Sequence, residues 1–222
     1  MIKSNKLKLT NIVVMFFVAM IVLGCSKHNP QRDHGIYMLI DTSGTYAKEL
    51  KEAQKIIEFV IKEVDPGDSF AVQRIDSGSF SEKDIVHSQT FDTRPIQAGQ
   101  QRSDFRKKID DFVKKVKPSS YTDISGGLLQ GIQFLNETGA GKKTILIFSD
   151  MKEELPAGYK RNTPLQLNGF NVIALNVTKL KSDNFNPDEY FSRLKKWKKK
   201  VDGGGGQWIV INDLKRLEPI FQ

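Results

Sequence analysis

Short β-rich runs alternate with longer stretches of helical apolar spacing along this chain, and this alternation narrows the possible folds more than any other feature. The strands that we predict lie at residues 35–40, 69–75, 84–91, 143–149, 170–177 and 207–211. Strands joined by helices favour a parallel sheet with right-handed crossovers. The predicted fold class is therefore α/β, a Rossmann-like, doubly wound, mostly parallel six-stranded sheet flanked by helices.

The first helical stretches follow the first and third of these runs. Apolar residues recur at helical spacing over residues 46–64, and Asp65-Pro66-Gly67 is a stop signal directly after them. We expect residues 92–101 to form a loop. Ser103-Asp104 would then cap a second helix.

A third helix is predicted to begin near Ile124, and it contains three glycines, Gly126, Gly127 and Gly131. Because a glycine inside a helix costs about 1 kcal/mol relative to alanine, we expect this helix to pack closely against the sheet or a site. Asn186-Pro187 has the cap and the proline of a further helix start. Residues 214–221 predict a short terminal helix.

Oxygen-bearing side chains follow two of the predicted strands at the points where those strands end. Asp41, Ser43 and Thr45 stand at alternate positions after the first strand, so they can project toward one side. Asp150 follows the fourth strand, and Thr122 precedes the third helix. Doubly wound sheets bind ligands beyond the carboxyl ends of their strands, and Mg²⁺ prefers oxygen ligands. The pattern predicts a divalent-cation site.

These three segments, in this order, resemble the metal-ion-dependent adhesion site of a von Willebrand factor A domain, over about residues 35–222. The resemblance implies that the hydroxyls of Ser43, Thr45 and Thr122 contact Mg²⁺ or Mn²⁺ directly. It also implies that Asp41 and Asp150 bind the ion directly or through water. One coordination position would stay open for an Asp or Glu of a protein partner.

The sequence departs from the family pattern at two positions. Thr45 stands where the family has a second serine, and it keeps the hydroxyl. Met151 follows Asp150 where many members carry glycine, so we expect the backbone of this loop to differ from theirs.

Three functions are compatible with this pattern, and we favour the first, a non-enzymatic module that captures a partner's acidic group through the cation. The second is a metal-dependent phosphohydrolase of the haloacid dehalogenase type, whose DxDxT motif matches residues 41–45 except at Ser43. The missing aspartate serves as general acid and base, and a serine hydroxyl does not titrate near neutral pH. The third is a structural A domain with a vestigial metal site.

The first 25 residues carry three lysines, an apolar stretch over residues 12–23, and Cys25. Twelve apolar residues are too few to span a bilayer, which takes about 17 to 25. Val22-Leu23-Gly24-Cys25 resembles a bacterial lipobox, which implies cleavage before Cys25 and fatty acylation of its thiol. We therefore predict a signal peptide over residues 1–24 and a lipidated tether over residues 25–34, with the domain held outside the cytoplasm at a bacterial membrane. The alternative is an uncleaved N-terminal anchor.

The chain carries 34 basic and 26 acidic residues, a net charge of +8 that loss of the signal peptide's three lysines would lower to +5. Six basic residues lie between 193 and 200, where the apolar spacing predicts the wet side of an amphipathic helix and no nucleic-acid site. His28, His34 and His87 lack zinc-site spacing and are expected at the surface. We expect Glu153-Glu154 to form a solvated acidic turn.

Overall fold

The sheet has six strands, in a computed structural model that describes residues 33–44, 46–213 and 216–221. The strands are β1 His34–Asp41, β2 Ser69–Ile75, β3 Ile85–Thr90, β4 Lys142–Phe148, β5 Phe170–Leu175 and β6 Gln207–Ile211. Their order is β3-β2-β1-β4-β5-β6, with β2 and β3 antiparallel and every other pair parallel. The predicted doubly wound, mostly parallel sheet is confirmed.

Helices cover both faces of this sheet. They are α1 Leu50–Glu63, α2 Pro95–Lys115, α3 Ile124–Glu137 and α4 Pro187–Gly203, with short 3-10 helices at Ala47–Glu49, Glu82–Asp84, Ser182–Asn184 and Glu218–Ile220. α1 and α2 pack on the face that carries Met38 and Ile40, and α3 and α4 pack on the face that carries Tyr37 and Leu39. The central strand β1 is therefore buried on both sides. Within the described ranges, no helix has the length and apolarity needed to cross a membrane.

The second helix begins earlier than the sequence predicts. The expected loop over residues 92–101 is wrong, because α2 begins at Pro95, and Ser103-Asp104 lies inside the helix and does not cap it. Proline suits the first turn of a helix because its φ is already helical and it has no N–H to satisfy. The first two turns are rich in glutamine and nearly lack apolar side chains, so apolar periodicity cannot detect them.

The predicted terminal helix is not continuous. In its described part, residues 216–221, Glu218–Ile220 forms a 3-10 turn and Arg216 is in 3-10 conformation, but Leu217 between them is not helical; residues 214 and 215 lie outside the described residues. The first predicted helix likewise opens with the 3-10 turn Ala47–Glu49 before α1.

The glycines of α3 let this helix approach β1, as the sequence predicts. A Cβ atom on Gly127 would lie 2.8 Å from Leu39 Cδ2, and one on Gly131 would lie 2.9 Å from Tyr37 Cδ1. Both distances are below van der Waals contact, so alanine at either position would force the helix or the facing side chain to shift. This close packing fixes the start of α3, which directly follows Thr122, relative to the end of β1.

His34 contradicts the expectation of surface histidines. It is buried at the start of β1, where its Nε2 lies 2.8 Å from Thr144 Oγ1. Burial and the nearby charge of Lys142 lower the pKa of His34 to about 4. His87 is half-buried, with its ring 4.8 Å from the Phe105 ring.

Candidate metal centre

Asp41 ends the central strand β1 and is completely buried. Its Oδ1 accepts a hydrogen bond from the Ser43 N–H at 2.8 Å, and its Oδ2 accepts one from the Ser149 hydroxyl at 2.6 Å. Thr42 points to the other side and donates to the Ile75 carbonyl at 2.9 Å. The carboxylate is thus held in one orientation by the ends of β1 and β4.

Ser43 is half-buried in the first loop, as expected for a side chain at the mouth of a site. Thr45, the third candidate of this loop, lies outside the described residues. The first loop pairs with the second, because the Ser119 N–H donates to the Thr42 carbonyl at 2.8 Å.

Thr122 is buried in the second loop, between α2 and α3. Its backbone exchanges two hydrogen bonds with Glu154, at 2.7 and 3.0 Å. Glu154 belongs to the third loop, which follows β4. The backbone therefore joins all three loops that carry the candidate ligands, and it places Thr122 between the other two.

Asp150 lies one residue beyond Ser149 at the end of β4, and it is buried. The pKa of Asp150 is raised to about 6, mainly by burial and also by the negative charge of Asp41. A hydrogen bond from the Lys152 N–H opposes this rise. Burial also raises the pKa of Asp41, and the hydrogen bonds from Ser149 and Ser43 oppose that rise. The two carboxylates therefore lie close enough to repel each other.

No positive side chain in the described part of the chain forms an ion pair with Asp41 or Asp150. A buried carboxylate is costly unless it is paired or binds a metal. The same described residues hold no group of three or more His, Cys, Asp and Glu placed around an ion. The candidate set instead combines two carboxylates with hydroxyl oxygens, and these hard ligands suit Mg²⁺ or Mn²⁺.

Arg193 and Trp197 of α4 hold the third loop in place, a role that the sequence did not predict. Arg193 Nε donates to the Asp150 carbonyl at 2.9 Å, and its Nη2 pairs with the buried Asp183 at 2.8 Å. Trp197 Nε1 donates to the Met151 carbonyl at 2.8 Å. The basic run was predicted to form the solvent-exposed side of the helix. Arg193 departs from this prediction, because its side chain contacts the third loop and Asp183. The sequence did hold a signal for this position of Arg193. Arg193 precedes the apolar Trp197 by four residues, and residues at this spacing share a helix face.

Met151 has a φ of 65°, in the left-handed region that glycine favours. A non-glycine residue there costs about 1 to 3 kcal/mol and persists only where its surroundings fix it. The side chain of Met151 is fully buried, and its N–H donates to Ser149 Oγ at 3.0 Å. Packing and the hydrogen bonds from α4 therefore hold the conformation that a glycine would adopt without strain.

A buried ion pair joins the start of α3 to the chain after the third loop. Asp123 caps α3 by accepting the Gly126 N–H at 2.8 Å, and Arg161 contacts both carboxylate oxygens of Asp123, at 2.9 and 2.5 Å. Glu153 also caps this helix, accepting the Ser125 N–H at 2.7 Å. The expectation of a merely solvated turn at Glu153 is therefore wrong. These contacts fix the residues that follow Thr122.

The structure thus brings four of the five sequence-predicted ligands, Asp41, Ser43, Thr122 and Asp150, to one end of the sheet in mutually hydrogen-bonded loops. Thr45 is the exception, since it lies outside the described residues. Cys25, the predicted lipidation site, lies outside them as well.

No family model matches the chain, and no curated protein matches it. Among solved structures, it is similar to a von Willebrand factor type A protein from Catenulispora acidiphila, with a TM-score of 0.54 and 15% identity over 86% of this chain and 41% of that one. It is also similar to the pilus adhesin SpaC from Lactobacillus rhamnosus GG, with a TM-score of 0.54 and 12% identity over 86% of this chain and 29% of that one. The chain therefore spans less than half of either relative. These likenesses show that the chain has the fold of von Willebrand factor type A domains.

Proposed function

We propose that this chain is a lipid-anchored, extracytoplasmic binding domain that captures a protein partner through Mg²⁺ or Mn²⁺. The proposed ligands are Asp41, Ser43, Thr45, Thr122 and Asp150. An Asp or Glu of the partner completes the coordination, so the cation bridges two proteins. The observation that carries this proposal is the pair of buried carboxylates, Asp41 and Asp150, which repel each other and form no ion pair with a positive side chain in the described residues.

The first loop is suited to hold an ion without rearranging. Oδ1 of Asp41 accepts the Ser43 N–H and Oδ2 accepts the Ser149 hydroxyl, and a carboxylate offers about four lone-pair sites, so lone pairs remain for a cation or its water. When bound, the cation supplies positive charge that attracts an acidic side chain. With only two carboxylates among its ligands, the protein leaves that charge incompletely neutralised.

The proposed membrane attachment is the acylated thiol of Cys25. Within the described domain, β1 begins at His34 and Asp41 lies at its other end. Acyl chains on Cys25 would supply about 0.8 kcal/mol of membrane affinity per buried CH₂.

Calorimetry with Mg²⁺ and Mn²⁺ on the purified full chain tests the proposal. We expect one ion to bind wild type, and Asp41→Asn and Thr122→Ala each to weaken binding at least about tenfold, because each removes a ligand. The matched control is Asp111→Asn, an exposed carboxylate of α2 that should leave the affinity unchanged. Wild type that binds no ion would support the structural domain with a vestigial site.

The same preparations separate a binding domain from an enzyme. The position that would need a second aspartate for phosphoryl transfer is Ser43, so we expect no Mg²⁺-dependent hydrolysis of a generic phosphomonoester. Turnover that disappears in Asp41→Asn would favour the phosphohydrolase.

A further inference from the structure

The exposed large hydrophobic side chains of this domain are concentrated at the end of the sheet that carries the candidate ligands. Five of the seven in the described ranges lie in segments after the carboxyl ends of strands or beside Thr122; we call these the aromatic rim: Phe80, Tyr121, Tyr159, Phe185 and Phe191. The other two are Ile96, at the opposite end of the sheet, and Ile209, on the edge strand β6. All five rim residues are aromatic, and both outside it are aliphatic.

Hydrogen bonds join two segments of the rim to the second loop. Tyr121 immediately precedes Thr122. Phe80 lies in the segment after β2, where Asp76 accepts the Ser119 hydroxyl at 2.6 Å and its carbonyl accepts the Asp123 N–H at 3.1 Å. These rings are therefore carried on segments that are adjacent to Thr122 or hydrogen-bonded to its loop.

Two arginines, Arg161 and Arg193, whose side chains are only 9% and 11% exposed, link the segments of the remaining rings to the candidate site. The Tyr159 hydroxyl accepts from Arg161 Nη2 at 2.8 Å, and the guanidinium lies 5.3 Å from the Tyr159 ring centroid. Phe185 is 93% exposed and follows Asp183, the partner of Arg193, which in turn holds the Asp150 carbonyl. Phe191 lies on α4, two residues before Arg193.

Exposed aromatic side chains held on rigid segments are characteristic of binding surfaces. Single exposed hydrophobic residues are common, but a cluster at one end of a domain marks an interaction site. Aromatic residues are enriched at protein interfaces, and truncation of such anchors costs more than truncation of neighbouring contacts. A single carboxylate bound to a cation would leave these rings in water, whereas a longer segment of the partner would cover them.

We infer that the partner presents its metal-binding Asp or Glu within a segment of apolar side chains, and that these side chains pack on the aromatic rim. This inference rests on the proposed function. The occupant is a protein segment because the cation takes a discrete carboxylate while the rings around it take apolar side chains on either side. The metal requires an acidic side chain on the partner, and the aromatic rim favours apolar side chains next to that acid.

A random peptide library displayed on phage tests the inference on the full chain, loaded with Mg²⁺ and eluted with EDTA. We expect the eluted peptides to share an Asp or Glu with aromatic, leucine or proline residues within three positions of it. In synthetic peptides measured by fluorescence anisotropy, replacing the acid with its amide should abolish binding. Replacing its apolar neighbours with serine should weaken binding about tenfold.

Variants of the aromatic rim test whether this surface contacts the apolar residues that flank the acid in the selected peptides. The triple variant Phe80→Ser, Tyr121→Ser, Phe185→Ser should bind the selected peptides about tenfold more weakly and no longer distinguish them from their serine-flanked versions. Its Mg²⁺ affinity, measured by calorimetry, should stay unchanged and so report an intact metal loop. The control is Ile96→Ser, which removes an equally exposed apolar side chain, 84% exposed, from the opposite end of the sheet and should change nothing.

The outcomes separate this inference from the function on which it rests. Acidic peptides that elute with EDTA but show no apolar neighbours, and that the triple variant binds normally, would overturn the role of the rim and leave the cation bridge standing. A library that yields no EDTA-eluted peptide would overturn the bridge and the inference together. Rim-dependent peptides that still bind in EDTA would contradict the inference, because the acid would then have no metal to reach.

Discussion

At the scale of single residues, Asp150 carries a conflict between folding and ion binding. Burial favours its neutral form, so the pKa rises from 3.8 to about 6. A carboxylate with a raised pKa in the folded state stabilises the fold below its unfolded pKa, and this contribution is lost as the pH rises through about 6. Near pH 7 the metal-free protein therefore holds a buried negative charge that a cation would stabilise.

Asp150→Asn should consequently raise the free energy of unfolding of the metal-free protein. At pH 7 we expect a gain of up to about 3 kcal/mol, since each pKa unit corresponds to about 1.4 kcal/mol. The gain should fall below about 1 kcal/mol near pH 4, where the folded-state carboxyl is neutral and the unfolded-state carboxyl, with a pKa of 3.8, is only partly ionised. Urea denaturation in EDTA at the two pH values measures this gain in the free energy of unfolding. If Asp150→Asn lowered the free energy of unfolding equally at both pH values, the charge of Asp150 would not be what destabilises the metal-free protein.

At the scale of elements, helix α4 acts on the third loop through Trp197. The hydrogen bond from its indole to the Met151 carbonyl helps to hold a strained backbone. Trp197→Phe keeps most of the buried ring and removes this bond, which is worth about 1 kcal/mol. We expect Mg²⁺ affinity to fall about fivefold, because Asp150 immediately precedes Met151 in the chain.

Trp208→Phe is the matched control for this substitution. Trp208 lies on β6, is half-buried, and has no hydrogen bond to the third loop. Its replacement should lower stability modestly and leave Mg²⁺ affinity as in wild type, as calorimetry would show. A Trp197→Phe protein with wild-type affinity would mean that packing alone fixes the loop.

The elements also show which parts of the structure can be predicted from the sequence. The strands could be predicted because each is a short β-rich run, and the central ones are largely apolar, as in β1, whose two faces are both buried. The start of α2 could not, because a polar, glutamine-rich helix end has no apolar face to count. Asp41 and Asp150 are recognisable as candidate oxygen ligands because they follow strand ends. The pairs Arg161–Asp123 and Arg193–Asp183 depend on tertiary contacts, so local patterns do not reveal them.

At the scale of the whole molecule, the proposed anchor at Cys25 determines where the domain works. Cys25→Ala should abolish incorporation of a fatty-acid probe and leave the precursor unprocessed in cells, because the thiol is the acylated group of a lipobox. The control is Ser26→Ala, next to it, which keeps the thiol and should be labelled normally. Labelling of the Cys25→Ala protein would end the lipoprotein interpretation.

The central claim is that one divalent cation binds where β1 and β4 end. An anomalous difference map from crystals grown with Mn²⁺ tests it most directly, because the ion itself is located. We predict a single strong peak within coordination distance, about 2.0 to 2.3 Å, of oxygens from the first, second and third loops, including the Ser43 and Thr122 hydroxyls. A map with no peak at this end of the sheet, or with its peak on other residues, would contradict the account.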